Sequence, residues 1–289
     1  MYVCDIKNFE KMTKKISFLL TLLLFTSLVV AQKKEKIKGS KIVTVSVKEI
    51  PTFENIEIND NFEVFLVKAD KTSFEIEADD NLHDIINYEV IGGTLKVSAL
   101  REVTGEKKFA IRINYTSDLK LITAKNESTI HALADLELDN ITIKNYDNSR
   151  SFLNVKANYF ALILNDKSEA EINVKADNTS IELSKNADLK ALVTSKELKL
   201  DMYQKSQATI EGNVNDAKIR LDNYIILTAK KLVIADLELT AESYSKCYIN
   251  VTSDFTLMAS GKSEIELLGD SKIEITKFAN NATLYKKEK

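Results

Sequence analysis

The chain has 289 residues, 44% of them apolar and 29% charged, with a formal net charge of −3. That is enough apolar material for one large domain or two ordinary ones, and it excludes a disordered or collagenous chain. A mildly acidic, charge-mixed chain is also excluded as a nucleic-acid binder on electrostatic grounds. Only seven Gly and one Pro are present, so Asn and Asp must fill the left-handed turn positions that a β protein needs.

The first element in chain order is an export signal. Lys14 and Lys15 precede an apolar run over residues 16–31 that closes on Ala31. This is the charged, apolar and small-residue order of a secretory signal peptide, spanning residues 1–31, with cleavage between Ala31 and Gln32. Met12 marks the expected start, and the residues before it read as upstream translation. The apolar run is short for a membrane span, and none follows once the signal is cleaved. Lys33, Lys34 and Lys36 keep an uncleaved anchor as the alternative. Cys4 falls in the discarded part, which leaves Cys247 as a lone thiol unable to form an internal disulfide. Losing four lysines and two acids with the leader moves the net charge to about −5. The expected location is periplasm, cell surface or extracellular.

Residues 32–118 read as an N-terminal β region. Alternating runs at 41–47, 53–58, 62–67, 73–78 and 107–115 predict strands. Gly92-Gly93 predicts a hairpin between 88–91 and 94–98. Residues 82–86 predict one short helical turn, with Asp80 or Asn81 placed to cap it. This region is antiparallel in character and is expected to pack against or cap the first coils.

From 119 to 289 one template returns roughly every 20 residues. It reads apolar-x-x-[Tyr/Asn/Ser]-x-x-small, and its copies are 122–128, 143–149, 162–168, 181–187, 200–206, 221–227, 241–247 and 257–263, with a frayed copy at 277–283. A period of this size marks a solenoid, because one unit cannot bury its apolar face alone. Alternation puts Ser168, Ala170, Ile172 and Val174 inside, with Glu169, Glu171 and Asn173 facing water. A second inward run precedes each small slot, as at Phe160, Leu162 and Leu164. Strands about 4.8 Å apart make some nine layers a rod roughly 40 Å long. The fold class is therefore all-β, a parallel solenoid with an N-terminal antiparallel cap, and 32–289 is read as one continuous domain. An uncapped end would expose unpaired backbone and an apolar cross-section.

Three stretches carry a family resemblance: residues 39–48 with 53–58 and 62–66, then Ile76-Glu-Ala-Asp-Asp-Asn-Leu82 with Val90-Ile-Gly-Gly-Thr-Leu-Lys-Val97, and the coils ending at Ala282-Thr-Leu-Tyr-Lys286. Together they resemble the GIN-domain family of bacterial envelope proteins, described as auto-transporter adhesin head domains. The resemblance covers about residues 39–286 and implies a right-handed parallel β-helix-like solenoid with no established activity. One departure is clear. The family tends to place Gly ahead of the small residue in each coil, and this chain does so only at Gly261-Lys-Ser263.

Solenoids also host polysaccharide-active enzymes, whose sites need a carboxylate cluster. Here the carboxylates read as single outward residues beside Lys, as in Lys167-Ser-Glu169 and Lys262-Ser-Glu264. The two imidazoles, His83 and His131, lack metal or nucleophile spacing. Asp79, Asp80 and Asp84 around His83 serve capping and solvation better than a cation. Cys247 reads as a buried small residue. Neither cofactor nor metal is implied.

Tyr146, Tyr203, Tyr224 and Tyr244 share one slot in the template, three residues before its small position. Such a file is a candidate contact for a surface glycan or a protein. The plainer reading, and the favoured one, is that aromatic residues stack across strands because that stabilises a sheet. The expected function is that of an exported, non-enzymatic adhesin or surface-recognition module. The alternatives are a polysaccharide-active β-helix enzyme and a structural or assembly protein of the periplasm.

Overall fold

The computed structural model describes residues 34–287, so the signal segment, its cleavage point and the start at Met12 lie outside the described residues. Nearly every element is a strand, and the chain builds a solenoid of about nine turns.

The first strands are β1 (Lys36–Lys38), β2 (Val43–Glu49), β3 (Asn55–Ile58), β4 (Glu63–Lys68) and β5 (Ser73–Asp79). A 3₁₀ turn (Asp80–Ile85) then leads to β6 (Ile86–Ile91), β7 (Thr94–Ala99), β8 (Glu102–Thr104) and β9 (Phe109–Tyr115). β6 and β7 form the antiparallel hairpin turned by Gly92 and Gly93, and β2, β5 and β9 pair antiparallel in that order. β3 and β4 behave differently. They run parallel to β7 and β9 on one side and to β10 (Leu121–Ala124) and β11 (Thr129–Ala132) on the other. Residues 55–68 are thus a solenoid layer laid between 94–115 and 121–132. The N-terminal region supplies two layers of the stack, in the reverse of chain order, as well as the antiparallel strands beyond them.

After β12 (Leu136–Glu137) and β13 (Asn140–Asn145) come the long strands β14 (Arg150–Leu164), β15 (Glu169–Leu183), β16 (Asp188–Tyr203), β17 (Gln207–Asp222), β18 (Ile226–Ala241) and β19 (Lys246–Ala259). The stack finishes with β20 (Glu264–Leu268), β21 (Lys272–Phe278) and β22 (Thr283–Lys286). Arg150 lies against Glu169, Glu169 against Asp188 and Asp188 against Gln207, a step of 19 residues. Within β16, Leu189, Ala191, Val193 and Ser195 point inward, Lys196 and Glu197 both point out, and Leu198, Leu200 and Met202 point inward again. Two successive outward residues break the period of two and turn the strand through a bend without a loop. The expected inward residues, from Ala170, Ile172 and Val174 to Phe160, Leu162 and Leu164, are buried.

The other edge of each layer is a tight turn. Asn126, Asp147, Asp166, Lys185, Gln204, Asn223, Ser243, Gly261 and Asn280 stand one per layer, all at positive φ. Short polar side chains dominate this row, as the scarcity of Gly requires. In three layers the next residue, Asn186, Lys205 or Tyr224, is also at positive φ, the sign pattern of a type I′ turn. Gly212 has a different duty. It sits at a bulge with φ 121°, where a Cβ would come 2.0 Å from the Val193 carbonyl oxygen.

The small slot closing each turn holds Ser128, Ser149, Ser168, Ala187 and Ser206, then Ile225, Ser245, Ser263 and Ala282. Three template copies therefore need correction. Leu227 and Cys247 pair with Ala208 and Ile265, two residues beyond the slot. Ile225-Ile226-Leu227 offers no small residue and a two-residue slip preserves inward and outward alternation, so the pattern hid the first slip. In the second copy Ser245 and Cys247 are both small, and the spacing carried over from Leu227 selected the wrong one. The last copy slips by one, from Thr283 to Ala282.

The two ends of the stack differ. At the N-terminal end Leu82 and Ile85 of the 3₁₀ turn are buried in the common core with Phe62, Phe74 and Phe109. The N-cap residue of that turn is Asp79, not Asp80 or Asn81, and it makes no capping bond. Its buried carboxylate instead accepts hydrogen bonds from the backbone N–H groups of Lys41 (2.8 Å), Lys107 (3.1 Å) and Lys108 (3.0 Å). Burial pushes this carboxyl up, and the three backbone donors together with the Lys41 charge outweigh it, holding the group below its ordinary value. Gly39 must lack a side chain there, since a Cβ would stand 2.3 Å from Asp79 Oδ2. At the C-terminal end all seven residues of β21 are exposed. Ile273, Ile275 and Phe278 continue the inward files of Phe255, Leu257 and Ala259, with no described layer above them.

Candidate functional site

The tyrosines do not form one file. Tyr146 and Tyr203 occupy the slot that starts each turn, where Asn165 and Ser184 separate them, and Asp222 and Glu242 follow. Tyr224 and Tyr244 stand two residues later, at the turn tip, in line with Lys205 and Lys262. The slip that displaced Leu227 and Cys247 had carried these two tyrosines into the wrong slot.

The tip pair is nonetheless brought together closely. The Tyr224 and Tyr244 rings stack with centroids 4.7 Å apart and planes within 5°, and they are 51% and 47% exposed. Lys262 Nζ lies 5.2 Å from the Tyr244 centroid, covering one end of the stack with a cation. Toward the other end Tyr224 lines a shallow groove with Lys205, Asn186, Asn148 and Lys167. Tyr224 holds φ at 66°, a left-handed conformation that costs a bulky residue about 1–2 kcal/mol. Asn or Gly would fill that position without the cost. Tyr203 is partly buried beside Arg220, whose guanidinium lies 6.0 Å from its ring centre, and burial raises its hydroxyl pKa.

A second aromatic group escaped the template. Phe65, His131 and Phe152 stand in register on successive layers, and the His131 ring stacks between the two phenyl rings at 5.3 and 5.1 Å. Lys108 Nζ lies 5.3 Å from the Phe65 ring centre. Burial lowers the pKa of His131, Glu63 opposes that and Lys108 adds to it, which favours the neutral imidazole. Phe152 then borders a shallow groove with Glu171, Lys190, Leu192 and Asn154. The signal was present in part: His131 and Phe152 each follow their small slot by three residues.

The carboxylates also need a correction. Many are outward and paired, as Glu169 is with Arg150 (3.6 Å) and Glu264 with Lys246 (2.9 Å). At the bend, however, Glu197, Asp216, Asp236 and Asp254 occupy one register slot on four successive layers. Like charges in adjacent register repel, and Tyr159 and Asn178 head the same file. Among the described residues no three His, Cys, Asp or Glu side chains are grouped to hold a metal ion. His83 accepts or donates one hydrogen bond with Thr44 Oγ1 at 2.9 Å. Cys247 is fully buried, and burial pushes its thiol pKa up to about 12, which leaves it inert. No described helix is long and apolar enough to cross a membrane.

Comparison with known proteins places this architecture. The chain's fold is similar to that of a protein from Parabacteroides distasonis ATCC 8503, described as a putative adhesin, at 17% identity and TM-score 0.63, covering 87% of this chain and 100% of that one. A putative adhesin from Parabacteroides merdae ATCC 43184 is similar at 16% identity and TM-score 0.63, over 87% of this chain and 99% of the other. A third similar structure, also from Parabacteroides distasonis ATCC 8503, is described as a putative lipid binding protein, with 15% identity, TM-score 0.60 and coverage of 87% and 99%. At these identities the likeness is one of fold. No curated protein matches the chain. The family model described as "Putative auto-transporter adhesin, head GIN domain" matches residues 52–271, and the chain belongs to that family.

Proposed function

We propose that this protein is an exported, non-enzymatic recognition module of the bacterial envelope that holds a surface glycan through the turn edge of its solenoid, with Tyr224 and Tyr244 as the platform. Tyr224 carries the reading. A bulky aromatic kept in a left-handed turn, half exposed and ring-stacked, is a local cost where Asn would serve the fold, and such conflicts gather at functional sites. Aromatic faces pack against the C–H faces of pyranose rings, while the neighbouring amides and lysines of the groove supply hydrogen bonds to hydroxyls. The adhesin family and the export signal expected at residues 1–31 agree with this role. Tyr146 and Tyr203 lie off this platform and are assigned no contact.

Retention on an array of bacterial and host surface glycans tests it. The double variant Tyr224→Ser, Tyr244→Ser should lose at least tenfold in retention, about 1.4 kcal/mol, with the far-UV spectrum unchanged. Equal retention by the double variant and the parent would sink the proposal. Protease shaving of intact cells, which should remove the protein from the surface fraction, tests the location separately.

A further inference from the structure

The exposed last layer has a property that points to its occupant. Strand β21 pairs along one edge with β19, and its other edge has no strand partner among the described residues. A bulge at Thr276 interrupts that pairing, so that Met258 meets Lys277 and Ala259 meets Phe278. The bulge divides the strand into two short halves with matched faces. Ile273, Ile275 and Phe278 continue inward files, and Lys272, Glu274 and Lys277 continue outward ones.

We infer that this edge is a self-association surface, on which the last layers of two copies pair antiparallel about a two-fold axis passing between Ile275 and Thr276. In that register Ile273 of one copy faces Phe278 of the other, both on the inner side. Glu274 faces Lys277, both on the outer side. Each contact occurs twice, as an isologous interface requires. Shifting the register by one residue in either direction sets an outer charged residue against an inner apolar one, Lys277 against Ile273 or Glu274 against Phe278. The bulge is therefore what makes the strand complementary to itself. Pairing would satisfy the free backbone groups of β21 and cover Ile275 and Phe278, which are 49% and 46% exposed. Strand β22 contributes less, because its inner file ends on a charged residue, Lys286 beside Leu267, whose ammonium lies 4.0 Å from Asp270 of the same chain. Salt should weaken the association, because it screens the two Glu274–Lys277 pairs across the axis.

Sedimentation equilibrium of the chain as exported, over a hundredfold range of concentration, tests the inference. A monomer–dimer equilibrium is expected. Glu274→Lys and Lys277→Glu should each weaken the dimer at least tenfold, since each places like charges opposite one another twice, and the double exchange should restore the parent value to within about threefold. All of these side chains are exposed, so the variants keep the fold, which circular dichroism would verify. A monomer at every concentration, single exchanges without effect, or a double exchange that fails to recover would overturn the inference. So would masses that grow beyond the dimer, because head-to-tail stacking onto the β2 edge makes an open filament rather than a closed pair.

Discussion

The two ends of this solenoid solve the same physical problem in opposite ways. Stacked layers leave, at each end, a row of unpaired backbone groups and an apolar cross-section. At the N-terminal end the chain closes the cross-section with Leu82 and Ile85 on a 3₁₀ turn and fastens the closure with the buried carboxylate of Asp79. At the C-terminal end β21 is exposed along its whole length, and Lys272, Lys277 and Lys286 are interspersed with Ile273, Ile275 and Phe278. One end spends sequence on a lid, and the other meets water with an alternation of charge and hydrocarbon. Closure is therefore a property of particular residues rather than of the repeat.

The contrast can be broken most forcefully at the lid. Leu82→Ala, which empties a fully buried site, should cost about 2–5 kcal/mol, read as a lower urea midpoint with unchanged slope. Asp79→Asn comes next. Because the native carboxyl is held below its unfolded value, its contribution is present above the unfolded pKa and is lost as pH falls toward the native one. The parent should thus lose Tm steeply below about pH 4, whereas the Asn variant should start several degrees lower at pH 7 and show a shallower acid limb. Equal acid limbs would mean that Asp79 does not fasten the lid. At the open end Ile275→Ala should cost less than about 1 kcal/mol in dilute solution, and β21 amides should exchange much faster than those of β16. The smallest effect belongs to the turn edge. In Tyr224→Asn, relief of the left-handed strain and loss of ring stacking are each about 1 kcal/mol, so stability should move by less than about 0.5 kcal/mol while glycan retention falls at least tenfold. A large stability loss there would mark the tyrosine pair as structural.

Much of this was legible in the chain, for reasons that particular residues make plain. Alternation of period two fixed which side chains face inward, and Asn and Asp in place of Gly announced the left-handed turns. Register was less legible. The run Ile225-Ile226-Leu227 hid a two-residue slip, and with it the separation of Tyr224 and Tyr244 from Tyr146 and Tyr203. The acidic file at the bend was missed because 19-residue steps between Glu197, Asp216, Asp236 and Asp254 are not constant once bulges intervene. The layer formed by residues 55–68 was read only as strands, since its partners lie on both sides of it in space but only after it in sequence. The 3₁₀ turn was expected, but its fastening was not, because Asp79 acts on backbone groups nearly thirty and forty residues away.

The near-constant 19-residue step has an engineering meaning. Each middle layer touches only its two neighbours, so the interval between the lid and the exposed edge is a graduated scale, marked about every 4.8 Å. Excising residues 169–187, one whole period from one turn to the next, would shorten that scale by one graduation and leave both terminal devices intact. The lid at one end, and the platform and pairing strand proposed toward the other, can thus be moved relative to one another by whole divisions, and by nothing in between.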